Sequence, residues 1–445
     1  MQRRRESVLV IGAGPAGLTA SLRLRKAGFR VTLISEEPVF GQRQIHDGDA
    51  DSLPPILLGA DHATMALLAE LGTARQVHFS SRLHYEFYSP RKPITRLRRP
   101  FGPASLRAIL TLATFPALSL KDRRRFLSFL ERTWEADPPL DLDLDSRPAA
   151  QWLDDIGQSE EARQIVWDPL SRFLLGDTLS LVSARLFADT LTRCFLSDAR
   201  SARLALPLAG LPQLLIEPAL AYLSRGNVTV HASVPVKFLR FDQKHVTEVH
   251  LDDGRSLRAD WYVLAIPHER VSALLPDRIL SRYAYFQQIG QLQDLSAITV
   301  HLWLADSPKA PRLVLLADHT FHWLVSRRAT HKGKTLPLIS LVATGSNPPR
   351  EQPDGTLVQT AHRLVEQAFG LKTSPKVVRS DVVRTSRALL SVKPGTAALR
   401  PLQQSPVSNL FLAGAWTDTG LPGSVESAIR SGNICADAIA AQRIE

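Results

Sequence analysis

Cysteine and methionine are scarce, with two of each in 445 residues. Cys194 and Cys435 are too few for a disulfide framework or a cysteine-rich metal cluster. A chain of this length can bury a sizeable core without such staples. Long apolar runs are also missing. Nowhere do about 18 apolar residues follow one another, so no membrane-spanning helix is expected. Arg3-Arg4-Arg5 before Val8-Leu9-Val10-Ile11 starts like a signal peptide, but the apolar run stops at Gly12 and no small-residue cleavage site closes it. The expectation is a reduced, cytoplasmic protein. Thirteen histidines are scattered without the His-Glu-x-x-His pattern of zinc hydrolases, so no metal site is expected. No repeat, heptad or low-complexity tract stands out.

What is abundant is positive charge. Lys and Arg number 54 against 43 Asp and Glu, giving +11. Such a surplus fits nucleic acid, an anionic membrane face or an acidic ligand, and composition alone does not choose among them. With 44% hydrophobic and 22% charged residues the chain is otherwise an ordinary globular mixture.

The opening carries the clearest chemistry. Val8–Ile11 reads as a buried parallel strand, followed by Gly12-Ala13-Gly14-Pro15-Ala16-Gly17, a helix over Leu18–Lys26, and a second β-rich run, Val31–Ile34. In such a β-α-β unit the first glycine permits a tight turn, the second lets backbone approach a pyrophosphate, and the third lets helix and strand pack closely. Free amides at the helix start then face the phosphates. The acidic residue expected on the ribose is displaced: Ser35 holds the usual place, and Glu36 is the nearest candidate. The other reading of Glu36 is a solvated loop carboxylate.

A second ordered segment closes the chain. Asn409-Leu-Phe-Leu-Ala-Gly414 reads as a short strand entering a glycine loop, and a helix is expected from about Ser424-Val425. Here the sequence resembles the FAD-dependent amine oxidase and phytoene desaturase superfamily, and within it the squalene-associated desaturases, or hydroxysqualene dehydroxylases. Further matches run in order along the chain. They are Gly41-Gln42-Arg43, Leu57-Leu-Gly-Ala60, Trp167-Asp-Pro-Leu170, Ser183-Ala-Arg-Leu-Phe187, Val228–Val234, Asp260–Pro267, His322-Trp323, Pro394-Gly395 and Arg400-Pro401. Departures exist as well. Gln42 replaces a glycine, Ala415 an aspartate, Ser427 a glycine, and Asp51–Pro55 loses the amide and histidine of the family block.

The resemblance implies an α/β fold: a Rossmann-like FAD-binding domain of the glutathione-reductase type with a discontinuous α+β substrate domain. It implies FAD held by Gly12–Gly17, Glu36, Arg43, Val234, Gly414, Ser424 and Val425. The expected division is 1–74, 206–267 and 401–445 for the cofactor, and 75–205 and 268–400 for the substrate. It further implies a lipophilic isoprenoid substrate and removal of an allylic hydroxyl from hydroxysqualene. A carotenoid-type desaturase, a flavin amine oxidase, and a non-catalytic relative without FAD stand as alternatives. Residues 91–134 concentrate the basic surplus, from Arg91, Lys92, Arg96, Arg98 and Arg99 to Lys121 and Arg123–Arg125. The stretch 98–134 alternates basic and apolar runs, which suits a helix at an anionic membrane interface on the inner face, or else an ordinary helical cap. Nucleic acid is not expected, since no binding motif accompanies the arginines. Asp141, Asp143 and Asp145 suggest a metal or diphosphate site, or more simply a solvated loop. No residue is assigned as catalytic. His322 is the one candidate acid, and a structural histidine is the competing reading.

Overall fold

The computed structural model describes residues 5–36, 51–79, 84–90, 92–98, 111, 113–135, 143–196, 201, 203–226, 228–306, 313–317, 319–331 and 333–443. Its organising element is a five-stranded parallel sheet. In spatial order the strands are Leu410–Leu412, Trp261–Leu264, Ser7–Ile11, Arg30–Ile34 and Thr229–His231. All four pairings are parallel. The opening strand is buried along its whole length, as a central parallel strand must be. Val8 and Val10 face one core with the helices Pro15–Lys26 and Val425–Gln442. Leu9 and Ile11 face another, packed on the antiparallel meander Val236–Asp242, His245–Leu251 and Ser256–Leu257.

The first helix begins at Pro15, three residues before the sequence pattern suggested. Proline lacks the amide that would be orphaned there, and its fixed φ already suits a helix. The C-terminal helix starts at Val425, with Ser424 as its cap: the Ser424 hydroxyl accepts from the Ser427 amide.

A seven-stranded, mostly antiparallel sheet forms the second large layer. Its order is Val377–Leu390, Asp294–Leu304, Lys334–Gly345, Trp323–His331, Leu313–Leu316, His84–Ser89 and Lys92–Arg98. One face packs Ile298, Val300, Leu302 and Leu341 on the helix Asp354–Phe369. The other carries Tyr85, Phe87, Trp323 and Val342 into an aromatic core with Phe115, Phe126, Trp152, Trp167 and Phe187.

The basic-apolar segment divides into unlike parts. Lys92–Arg98 is a strand, not part of an amphipathic helix, because it pairs antiparallel with His84–Ser89. Leu120–Glu135 is a helix, while residues 99–110 lie outside the described residues. Several of its cations are internal ties. Arg96 pairs with the buried Glu86 at 2.7 Å, and Arg123 donates to the carbonyls of Leu118 and Ala113. In the acidic loop, Asp143 accepts from Ser146, Asp145 accepts from Ser183, and Asp141 is outside the described residues.

Candidate cofactor site

Three loops leave the carboxyl ends of neighbouring parallel strands at one edge, the place where open α/β sheets bind ligands. Backbone bonds lace them together. Gly12 N donates to Ile34 O, Ala265 N to Ile11 O, and Ala413 N to Leu264 O, all within 2.9 Å. Gly12 has φ +109°, and a β-carbon there would stand 2.1 Å from the Ala265 carbonyl oxygen. One on Gly17 would stand 1.9 Å from the Gly12 carbonyl oxygen. Both glycines are therefore demanded by the protein's own packing. Gly14 differs. A β-carbon there would meet nothing within 4 Å, so the protein's own packing does not require glycine at this position.

The helix that follows has no side-chain cap and no acidic residue in its first turn. Its leading amides and the positive end of its dipole are left for an anion, which suits a diphosphate. The C-terminal helix crosses the first one at very close range. A β-carbon on Gly432 would lie 2.4 Å from the Ala16 carbonyl oxygen, so only glycine permits that approach.

Glu36 follows the second strand and pairs with Arg270 at 3.1 Å, an arginine of the helix His268–Leu274. It is thus not a free loop carboxylate. Val234 lies beside it: its amide donates to the Ser35 carbonyl at 3.0 Å. Gly12, Ala13, Gly14, Pro15, Ala16, Gly17, Glu36 and Val234 are therefore brought to one end of the edge, and Gly414, Ser424 and Val425 to the loop at its other end. Arg43 lies outside the described residues, as do Gly41 and Gln42.

The loop around Gly414 owes its shape to side chains the motifs did not single out. The Gly414 amide donates to Ser431 Oγ at 3.0 Å. Arg400, which is 8% exposed, donates to the carbonyls of Ala415 and Thr417 at 3.0 and 2.6 Å and also to that of Leu421. Burial lowers its pKa to about 10, so it keeps its charge at neutral pH. Ser427, standing where a glycine is usual, is bonded to Thr419 Oγ1 and the Ala415 carbonyl. Glu426 turns away and accepts from the Ala63 and Thr64 amides, capping the helix His62–Glu70. Trp416 Nε1 donates to the Ile266 carbonyl at 2.9 Å. The signal available in sequence was only that Arg400-Pro401 matched. Its role needed the fold.

His322 sits in the seven-stranded sheet, where Nδ1 accepts from the Thr344 amide at 3.1 Å and Nε2 lies 2.9 Å from Arg172 Nη1. Burial, aided by Arg172, lowers its pKa to about 3. It is neutral at physiological pH and has no proton to give as an acid. His301 is likewise pushed to about 3, by burial first and then by Arg327. An unfolded histidine takes up a proton near pH 6.5, whereas these two do so only near 3. Stability is therefore full above pH 6.5 and lost as pH falls toward 3, by about 1.4 kcal/mol per pH unit for each histidine. Melting temperature against pH should show this slope, and His322→Gln should flatten it.

Comparison with known proteins agrees with this arrangement. The model of the flavin-containing amine oxidoreductase family matches residues 15–440. The hydroxysqualene dehydroxylase of Rhodopseudomonas palustris is 26% identical, over 98% of this chain and 99% of that protein. The 15-cis-phytoene desaturase of Synechococcus elongatus is 25% identical, over 98% and 96%. Among solved structures, cyclohexylamine oxidase from Brevibacterium oxydans superimposes with TM-score 0.70 at 20% identity, covering 99% of this chain and 100% of that one. Putrescine oxidase with putrescine bound gives 0.70 at 19% identity, covering 98% and 99%. The fold is a Rossmann-like FAD-binding fold and the cofactor is FAD. The chain belongs to the flavin-containing amine oxidoreductase family.

Proposed function

We propose that the protein is an FAD-dependent oxidoreductase of isoprenoid metabolism that removes the allylic hydroxyl of hydroxysqualene to give squalene. The observation that carries this reading is the 26% identity with a hydroxysqualene dehydroxylase over nearly the whole of both chains. An amine substrate would call for aromatic rings held open at the flavin. Trp416, the aromatic residue of the C-terminal loop, is 6% exposed and its indole N–H is bound to a carbonyl.

Reduced FAD, when bound, supplies the electron pair; loss of the hydroxyl as water consumes a hydride equivalent and a proton. The chain's own residues hold and orient. Gly12–Gly17 and the Pro15 helix start hold the diphosphate, and Glu36 with Val234 serves the adenosine end. Gly414, Ser424 and Val425 meet the flavin end, in a loop fixed by Arg400. Residues 75–205 and 268–400 form the substrate-binding part. A carotenoid-type desaturase is the second reading, supported by the desaturase at 25% identity against 26% for the dehydroxylase.

Among the described residues no helix is long and apolar enough to cross a membrane. We propose peripheral contact with an anionic surface through the start of the helix Leu120–Glu135, where Leu120 is 69% exposed and Lys121, Arg124 and Arg125 are also exposed. The test is anaerobic incubation of photoreduced holoprotein with hydroxysqualene or phytoene in vesicles. Squalene should form, and faster from anionic than from neutral vesicles. Conversion of phytoene by the oxidised enzyme, with none of hydroxysqualene by the reduced one, would favour the second reading.

A further inference from the structure

The strand pairings set a row of polar side chains on the aromatic-bearing face of the seven-stranded sheet. His301 lies opposite Ser340, Ser340 opposite Val325, and Arg327 two residues along from Val325. Val325, Trp323 and Val342 on this face belong to the aromatic core. Arg327 is the anomaly of the row. Its side chain is 8% exposed, and its ion-pair partner Asp51, also 8% exposed, stands 3.8 Å from it, beyond hydrogen-bonding distance. Its Nε is buried with no hydrogen-bond partner. Thr299 Oγ1 on the same face and Ser52 Oγ, next to Asp51, are also buried without partners. A buried guanidinium N–H left without an acceptor is costly to a protein interior.

We propose that Arg327 and Asp51 together form a polar anchor on the aromatic-bearing face of the seven-stranded sheet and bind the hydroxyl of an otherwise hydrocarbon ligand. The spacing is the argument. A single oxygen about 2.8 Å from each partner closes a triangle on the 3.8 Å base between Nη1 and Oδ2. A hydroxyl accepts from the guanidinium and donates to the carboxylate, which matches this pair in both directions. Asp51 already balances the charge of Arg327, so the site asks for a neutral oxygen rather than a carboxylate or diphosphate. Asp51 is itself held in place by the Leu211 amide at 3.2 Å. His301 is tied to Ser340 at 2.8 Å and stays neutral beside the pair. A hydrocarbon leaves the anchor unsatisfied, so the pair discriminates an alcohol from its deoxygenated product and eases release of that product.

This rests on the isoprenoid reading, and the test separates the two. FAD-loaded protein is titrated with hydroxysqualene and with squalene in the same detergent, following the flavin absorbance change. Wild type should bind the alcohol at least roughly tenfold tighter than the hydrocarbon. Arg327→Met should hold squalene within about twofold of wild type while its affinity for hydroxysqualene falls to the squalene level. Its melting temperature should fall, because Asp51 loses the counter-charge beside it, so both ligands are titrated well below the variant's melting temperature. Asp51→Asn, which removes the charge but keeps the shape, should also lose discrimination. Equal binding of both ligands by wild type overturns the anchor and leaves the isoprenoid reading standing. So does discrimination that survives in Arg327→Met, or in Asp51→Asn where the first variant fails to fold. A parallel loss of melting temperature and of both ligands marks Arg327 as structural and overturns the anchor too. Binding of neither polyene by wild type overturns both.

Discussion

Replacing Arg400 with alanine is expected to lower stability by about 3–5 kcal/mol and to yield protein with little or no flavin. The reason lies in what the guanidinium does. It donates to backbone carbonyls of Ala415, Thr417 and Leu421, with longer contacts to the Trp416 carbonyl and to Ser427 Oγ. These belong to a turn between the last strand of the parallel sheet and the C-terminal helix, where neither a sheet ladder nor a helix satisfies carbonyls. Leaving one buried carbonyl unpaired costs about 1–3 kcal/mol, and the loss of Arg400 exposes several to that penalty. Gln403 bonds only Thr417 Oγ1 and the Asp418 carbonyl, so it does not substitute. Arg400→Lys should fall between the two, since an ammonium offers three donors and cannot span the turn. Urea unfolding and the ratio of flavin to protein absorbance read both effects. An alanine variant with unchanged midpoint and full flavin content would show that the loop shapes itself.

The parts of the fold that were legible in sequence are those whose constraints are local. Gly12, Gly14 and Gly17 fall within one turn and one helix start, so their spacing alone implies the strand-loop-helix that the chain adopts. Ser424 could be read as a helix start because its hydroxyl acts on an amide only three residues away. What was not legible depends on partners far along the chain. Glu36 looked like a ribose ligand or a solvated carboxylate, and its pairing with Arg270 joins two elements that only the sheet order brings together. Arg400 was visible as a match without a role for the same reason. The charge surplus misleads in a related way. Arg96 and Arg123 counted as membrane-facing cations, but one is paired to Glu86 and the other holds two carbonyls. Composition counts charges and is blind to which of them the fold has already used.

Gly14→Ala and Gly17→Ala are expected to fail in opposite ways, although they lie three residues apart in one motif. At Gly17 the added methyl would lie 1.9 Å from the Gly12 carbonyl oxygen and 3.0 Å from the Ala265 side chain. Both contacts are with the protein, the nearer one with backbone that cannot rotate aside. The first helix must then back away from the sheet, and with it the contact with Gly432 opens. Overpacking of this kind costs about 1–3 kcal/mol or more, so apo and holo protein alike should melt lower. At Gly14 the backbone has φ −74° and ψ 178°, a conformation open to alanine, and the methyl would meet nothing within 4 Å. Apo Gly14→Ala should therefore melt with wild type. The space the methyl enters is the one the amides of the helix start face, so its collision is with the diphosphate. The same overpacking scale then appears as weaker FAD binding, by roughly tenfold to a hundredfold. Titrating apoprotein with FAD while recording its melting temperature separates the two variants. A Gly14→Ala protein that binds FAD as wild type does would place the diphosphate away from this helix start, and a Gly17→Ala protein as stable as wild type would show that the close packing of strand, loop and helix is dispensable.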